Sequence, residues 1–300
     1  MGIVVFNICD RVPVRNPQSR TGSVHSVFAT SFNVEFSGEL VHVGTDEAPL
    51  SCFGMTVGAK EMAMLVERVE PGDAVHCRDG VMRIYSRADV SELVYGEAAV
   101  RSLAVPHAVD SLAGADVALL RVLTAADVVE HIGLPWPDRS RGAVAELARF
   151  SVSCARLAGM AKSTYSKEEV HARYEASERA MRGSVEYLLG RGLGLTPSGD
   201  DVLCGFGCAL HLLYGTGSLI APYLDAVRHA LPGRTTAVSE AYLRAMTAGC
   251  ANEDFVALAA DLTAGEFEAL PDRVERIFQM GHTSGADSLL GFGAAFGCLF

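Results

Sequence analysis

Gly190-Arg-Gly-Leu-Gly-Leu-Thr-Pro-Ser-Gly-Asp-Asp-Val-Leu-Cys-Gly-Phe-Gly-Cys-Ala-Leu210 is a polar, glycine-rich turn that runs straight into an apolar helix. The chain uses the same design again at its C-terminal end, in Ser284-Gly-Ala-Asp-Ser-Leu-Leu-Gly-Phe-Gly-Ala-Ala295. Aligned without a gap from Ser198 and Ser284, the two stretches share Ser-Gly, an Asp (Asp201 and Asp287), a Leu, Gly-Phe-Gly and an Ala. The second half of the chain therefore reads as helical, with one helix start used twice.

Local chemistry explains each start on its own. Thr196 can cap the first helix, with Pro197 at its first position and Asp200 and Asp201 in the first turn, where carboxylates complement exposed N–H groups and the helix dipole. In the second copy Thr283 or Ser284 is the cap and Asp287 takes the place of Asp201. Capping does not explain Gly205, Gly207, Gly291 and Gly293 in the helix bodies, because an interior glycine costs about 1 kcal/mol relative to alanine. Something must approach those backbones closely.

The repetition predicts two helix N-termini facing one cavity, each offering hydroxyls, N–H groups and an Asp. Thr196, Ser198, Gly199, Thr283, Ser284 and Gly285 are then candidate binding residues for a small polar or anionic ligand. Asp200, Asp201 and Asp287 are candidate ligands for a divalent cation such as Mg²⁺, or acceptors for a neutral amide-like group. A third polar helix start, Arg234-Thr-Thr-Ala-Val-Ser-Glu240, adds Thr235, Thr236 and Ser239, with Arg234 as the clamp for a carboxylate or phosphate. Capping by Thr235 or Thr236 accounts for that cluster as well as a site does. His282, just before the second start, is either a general acid/base working with Asp201 and Asp287 or a packing residue.

Several familiar chemistries are disfavoured. The Gly190-x-Gly192-x-Gly194 run follows a helix and has Leu195 where a dinucleotide fingerprint needs its last glycine, and no nucleotide cofactor is expected. Gly194 to Gly199 keeps the frame of a phosphate-binding loop, but Asp200 and Asp201 stand where Lys and Ser/Thr belong, which reverses the charge. No nucleophile-elbow Gly-x-Ser-x-Gly is present, against a serine hydrolase. The eight cysteines are scattered without a zinc spacing, and Cys204 and Cys208 read as small core residues. A net charge of −11 with no basic run argues against nucleic-acid and anionic-membrane partners. With no secretory signal and no apolar run of membrane length, a cytoplasmic protein is expected.

The first part of the chain has a β texture. Ile3–Ile8, Ser23–Phe28, Phe32–Phe36, Leu40–Val43, Ala74–Cys77 and Val81–Tyr85 read as strands, the last two around an Arg-Asp-Gly hairpin turn, with a helix near Ala59–Val69. His25, His42 and His76 lie within strand patterns and read as surface or hydrogen-bonded residues. After Tyr95–Pro106 helical periodicity takes over, with helices over 113–123 with 125–132, then 141–161, 167–189, 197–214, 219–231, 236–248, 252–262, 272–280 and 284–299, and a break at Pro135-Trp-Pro137. The expected architecture is α+β, with a β-rich barrel- or sandwich-like domain over 1–97 followed by a larger all-helical domain over 98–300.

At these residues the chain resembles a bacterial family long labelled as a domain of unknown function. The signature appears here as Gly190 to Asp201, Thr235-Thr236-Ala-Val-Ser239 and Gly281-His-Thr-Ser-Gly-Ala-Asp287. One member of that family is a subunit of the oxamate carbamoyltransferase of anaerobic allantoin degradation, which converts oxalurate and phosphate into oxamate and carbamoyl phosphate together with other chains. The resemblance implies a carbamoyltransferase-like subunit acting on a small carboxylate or ureido compound, with partner protein subunits. Two other classes stand beside it: a non-catalytic binding or scaffolding subunit, and a stand-alone amide hydrolase.

Overall fold

The computed structural model describes residues 2–15, 19–87, 89–108, 112–159 and 165–297, and the chain divides into two compact units, Met1–Leu103 and Ala104–Phe300. The first unit is a β-barrel, and the chain as a whole is α+β. Its strands are β1 (Ile3–Cys9), β2 (Arg20–Val27), β3 (Ser31–Phe36), β4 (Glu39–Thr45), β5 (Gly54–Val57), β6 (Ala74–Arg78), β7 (Val81–Tyr85), β8 (Val90–Val94) and β9 (Ala99–Arg101), with helix α1 (Ala59–Val66) after β5. The sheet runs β5-β4-β3-β2-β6-β7-β8-β1-β9, and β1 also pairs antiparallel with β5, which closes the barrel. β8 and β9 both run parallel to β1, one pairing with its start and the other with its end.

The hairpins follow their turn chemistry. Ser37 and Gly38 between β3 and β4, and Asp79 and Gly80 between β6 and β7, all have positive φ, as a two-residue turn matched to strand twist requires. Closure gives the strands an inner row of Phe32, Val34, Val41, Val43, Met55, Val57, Met82 and Ile84, all buried, joined by Met62 and Leu65 of α1. The strand histidines are hydrogen-bonded. His42 Nδ1 meets Asn33 Oδ1 at 2.9 Å and burial lowers its pKa to about 4, while His76 Nε2 meets Ser19 Oγ at 2.7 Å. Strands β5, β8 and β9 were not legible in the sequence. Gly-Met-Thr-Val is buried at all four positions and shows no alternation, and β9 is exposed at all three.

The second unit is helical among its described residues: α2 (Ala115–Ala125), α3 (Asp138–Leu157), α4 (Lys167–Leu188), α5 (Ser198–Tyr214), α6 (Ala221–Ala230), α7 (Ala237–Thr247), α8 (Glu253–Ala264), α9 (Leu270–Phe278) and α10 (Ser284–Ala295). No described helix is long and apolar enough to cross a membrane. The segment expected as helix over 113–123 is α2, and the one expected over 125–132 is a 3-10 turn at Val128–His131, entered through Asp127 in a left-handed conformation. The ends expected at 161 and 299 lie outside the described residues. α4 starts on a capping box, with the Ser166 hydroxyl accepting from Glu169 N and the Glu169 carboxylate accepting from Ser166 N, and it delivers the chain to Gly190, whose φ is +71°. α5 and α10 are buried along most of their length in a core with Phe206, Leu210, Tyr223, Leu289 and Phe292.

Candidate functional site at the paired starts of α5 and α10

The interior glycines explain how the two copies meet. A Cβ on Gly205 would land inside the carbonyl oxygen of Ser288, and a Cβ on Gly291 inside that of Val202. Gly205 aligns with Gly291 and Val202 with Ser288, so each helix presents its glycine to the same position on the other. The contact is reciprocal, and α5 and α10 are halves of a local pseudo-two-fold pair. The likeness extends to the preceding helices: Gly199 lies against the carbonyl of Leu188 at the end of α4, and Gly285 against that of Ile277 near the end of α9. Only glycine allows backbones this close. The two starts lie together.

Three carboxylates come into this junction, each in a different state. Asp287 is fully buried, and its oxygens accept from Gly133 N at 3.1 Å and from Leu134 N at 3.0 Å. Asp200 is also fully buried and accepts from Gly190 N at 2.7 Å, from Ser239 Oγ at 2.7 Å and from the Thr235 hydroxyl. Asp201 keeps 9 % of its surface exposed, and its Oδ2 is buried with no hydrogen-bond partner. Burial raises the pKa of all three. For Asp200 and Asp287 the bonded N–H and hydroxyl donors pull the other way. The Asp201 carboxyl is pushed well above the carboxylate range by burial and, further, by the charges of Asp287 and Asp200, with only the Ser284 hydroxyl opposing.

The hydroxyls named as candidate binding residues are hydrogen-bonded within the junction. Thr196 does not cap α5: Pro197 occupies the cap position, and Thr196 Oγ1 bonds Ser284 Oγ across the pair at 2.9 Å. Ser198 and Thr283 support Asp287, and neither Ser198 nor Thr283 caps its own helix. Two N–H groups expected to be open are tied to loop carbonyls, Gly199 N to Arg191 O at 2.7 Å and Gly285 N to Met280 O at 3.1 Å. Thr236 caps α7, accepting from Ser239 N at 3.1 Å, and donates to Leu195 O. Thr235 and Ser239 serve Asp200.

Neither Arg234 nor His282 is hydrogen-bonded to the three carboxylates. Arg234 is exposed, donates to Glu186 O at 3.0 Å, and lines a depression of about 430 Å³ with Arg139, Arg191 and Tyr187. Arg139 and Arg191 lie over the Tyr187 ring, 4.5 and 3.9 Å from its centre. His282 is exposed and lines a separate cavity of about 590 Å³ with His131, Glu130, Glu275 and Thr283. Gly133, Leu134, Arg139 and Tyr187 were not singled out in the sequence. A Gly-Leu pair before Pro135 carries no signal that its amides hold a carboxylate far along the chain.

Residues 188–296 match the family model described as oxamate carbamoyltransferase subunit AllH, and residues 6–94 match the AllH family N-terminal domain. The chain belongs to the AllH family. No solved structure matches it. AllH is a carbamoyltransferase subunit, so a family member works among partner chains. The 188–296 segment runs from the end of α4 past the end of α10 and so contains both helix starts of this AllH chain.

Among the described residues no group of three or more His, Cys, Asp or Glu side chains is arranged to hold a metal ion. Asp200 and Asp287 spend their oxygens on N–H and hydroxyl donors, leaving Asp201 as the one carboxylate of the three with an unengaged oxygen. Asp200 and Asp287 accept from N–H and hydroxyl groups of the chain itself.

Proposed function

We propose that this chain is the carbamoyltransferase subunit that holds a small carboxylate or ureido substrate at the junction of α5 and α10. The observation that carries the reading is the reciprocal glycine contact: it brings Asp200, Asp201 and Asp287 together inside the segment that matches the AllH model. In the reaction of the family's namesake, a phosphate oxygen attacks the ureido carbonyl of oxalurate. The bond from that carbon to the oxamate nitrogen breaks, and the departing nitrogen takes the proton carried by phosphate. Oxamate and carbamoyl phosphate result. The N–H groups of such a substrate match carboxylate acceptors, and the arginines of the depression beside Gly190 match its anionic end or phosphate. His282 is the candidate proton donor.

A second reading, a binding subunit whose catalysis lies in a partner chain, is favoured by how fully the polar atoms of the junction are engaged with one another. The test is to supply the purified chain with oxalurate and phosphate, with and without Mg²⁺, alone and with its partner subunits. Turnover by the chain alone removes the second reading. Oxalurate binding without turnover until partners are added supports it, and absence of oxalurate binding by both the chain and the assembled enzyme overturns both.

A further inference from the structure

We propose that the depression bounded by Arg139, Arg191 and Arg234 binds inorganic phosphate as a dianion, held by the three guanidiniums. The choice of phosphate rests on the reading that the chain handles oxalurate together with phosphate; the site itself stands on its geometry. Three arginines line one depression of about 430 Å³ against a single acid, Glu186. Among the described residues none of the three forms an ion pair, whereas Arg182, Arg244, Arg273 and Arg276 on helices of the same unit each take a carboxylate. Their hydrogen bonds go to neutral groups: Arg191 Nε donates to Tyr187 O at 3.0 Å, and Arg234 Nη2 to Glu186 O at 3.0 Å. In a chain of net charge −11, three cations gathered without acids of their own leave a local positive charge open to an anion.

The arginines stand on a fixed frame. Arg191 N donates to Leu188 O at 2.9 Å and Arg191 O accepts from Gly199 N at 2.7 Å, which ties its backbone to the end of α4 and the start of α5. Gly190, at φ +71°, lies so close to Arg234 that a Cβ on it would overlap the Arg234 carbonyl oxygen. The Arg139 and Arg191 guanidiniums share the Tyr187 ring, and the Tyr187 hydroxyl meets Oγ of the fully buried Ser140 at 3.1 Å. The first turn of α3, the loop after α4 and the loop before α7 thus bring one cation each to one place. A single guanidinium fork satisfies the two oxygens of a monocarboxylate; three forks match an ion with four oxygens and two charges. Donors held in place before the ion arrives lower the cost of ordering them.

The experiment is calorimetric titration with inorganic phosphate, and separately with oxalurate, of the full-length chain alone and assembled with its partner subunits, at constant ionic strength. Wild type is compared with Arg139→Gln, Arg191→Gln and Arg234→Gln, which remove one charge each, and with Arg234→Lys, which keeps the charge and loses the fork. Unfolding curves establish that each variant is folded. Phosphate affinity is expected to fall about tenfold or more in each Gln variant, the effect of lost hydrogen bonds between charged groups, and less in Arg234→Lys, while oxalurate affinity stays as in wild type. Loss of oxalurate affinity in the Gln variants with phosphate affinity unchanged overturns the assignment, because the arginines then hold the substrate carboxylate. Equal phosphate affinity in wild type and all variants, or no phosphate binding by wild type alone or assembled, also overturns it, and oxalurate binding in the same titrations leaves the proposed function standing. Phosphate binding that depends on the arginines, with no oxalurate binding by chain or assembly, keeps the site and overturns the proposed function.

Discussion

The α4–α5 and α9–α10 copies are alike in backbone and unlike in what reaches their acids. Both put a glycine against the last turn of the preceding helix and a second glycine against the partner helix. In the second copy, Ala286 stands where the first has Asp200, and Asp287 is sealed by the loop at Gly133 and Leu134. In the first copy, Asp200 is sealed by Gly190 and by Thr235 and Ser239 from around the start of α7, and Asp201 keeps an unmet oxygen. The frame is common to both copies; contacts from around the start of α7 and from the 133–134 loop make the halves different.

The largest effect is expected from breaking the frame common to both copies. Gly291→Val or Gly205→Val drives a side chain into a backbone carbonyl of the facing helix that has nowhere to move, and either is expected to cost about 3 kcal/mol or more, or to prevent folding. Urea denaturation measures it, and a loss below about 1 kcal/mol would show that the two helices do not need this approach.

Asp287→Asn tests the sealed half. It replaces an acceptor of two amides with a group that is half donor, and about 3 kcal/mol of stability should go, read from the same denaturation curves. Ser239→Ala tests the support peculiar to the first copy. It removes one of the three donors on Asp200 and should cost about 1 to 2 kcal/mol, with Gly190 N and Thr235 still in place.

Asp201→Asn should act in the opposite direction. Without ligand it removes a buried carboxyl with an unmet oxygen, and at about pH 7 to 8 the variant is expected to match wild type or exceed it by about 1 kcal/mol. The folded pKa lies above the unfolded one, so the folded state holds this proton more tightly. Its contribution is fully present below the ordinary carboxylate value, about pH 4, and is lost as pH rises through the raised folded value. Melting temperatures between about pH 5 and 8 should therefore fall less steeply in the variant than in wild type. Asp200 and Asp287, which face Asp201 and are raised in the same direction, preserve part of the slope. A variant that melts lower than wild type throughout would mean that Asp201 serves α5 as an ordinary first-turn acid.

Much of this was legible in the residues themselves. Alternation and turn chemistry located β1 to β4, β6 and β7, because a half-buried strand must alternate and a tight hairpin needs positive φ at positions such as Gly38 and Gly80. The repeat of Ser-Gly, Asp and Gly-Phe-Gly located α5 and α10, and their interior glycines called for a close neighbour, because such glycines are tolerated where another backbone comes close; that the neighbour is the other copy is shown by the structure. Gly54–Val57 gave no such signal, since a strand buried throughout has no alternation to show.

What the sequence by itself determined was the kind of element at each place, a consequence of periodicity and local backbone chemistry; the meeting of the two helix starts was an expectation that the tertiary contacts had to supply. Only the tertiary structure decided which acid is satisfied and which is not. Asp200, Asp201 and Asp287 look alike in a string of letters, but their states depend on donors brought from Gly133, Leu134, Gly190, Thr235 and Ser239. A buried carboxylate is defined by what reaches it across space, and residues distant in the chain are where that reach begins.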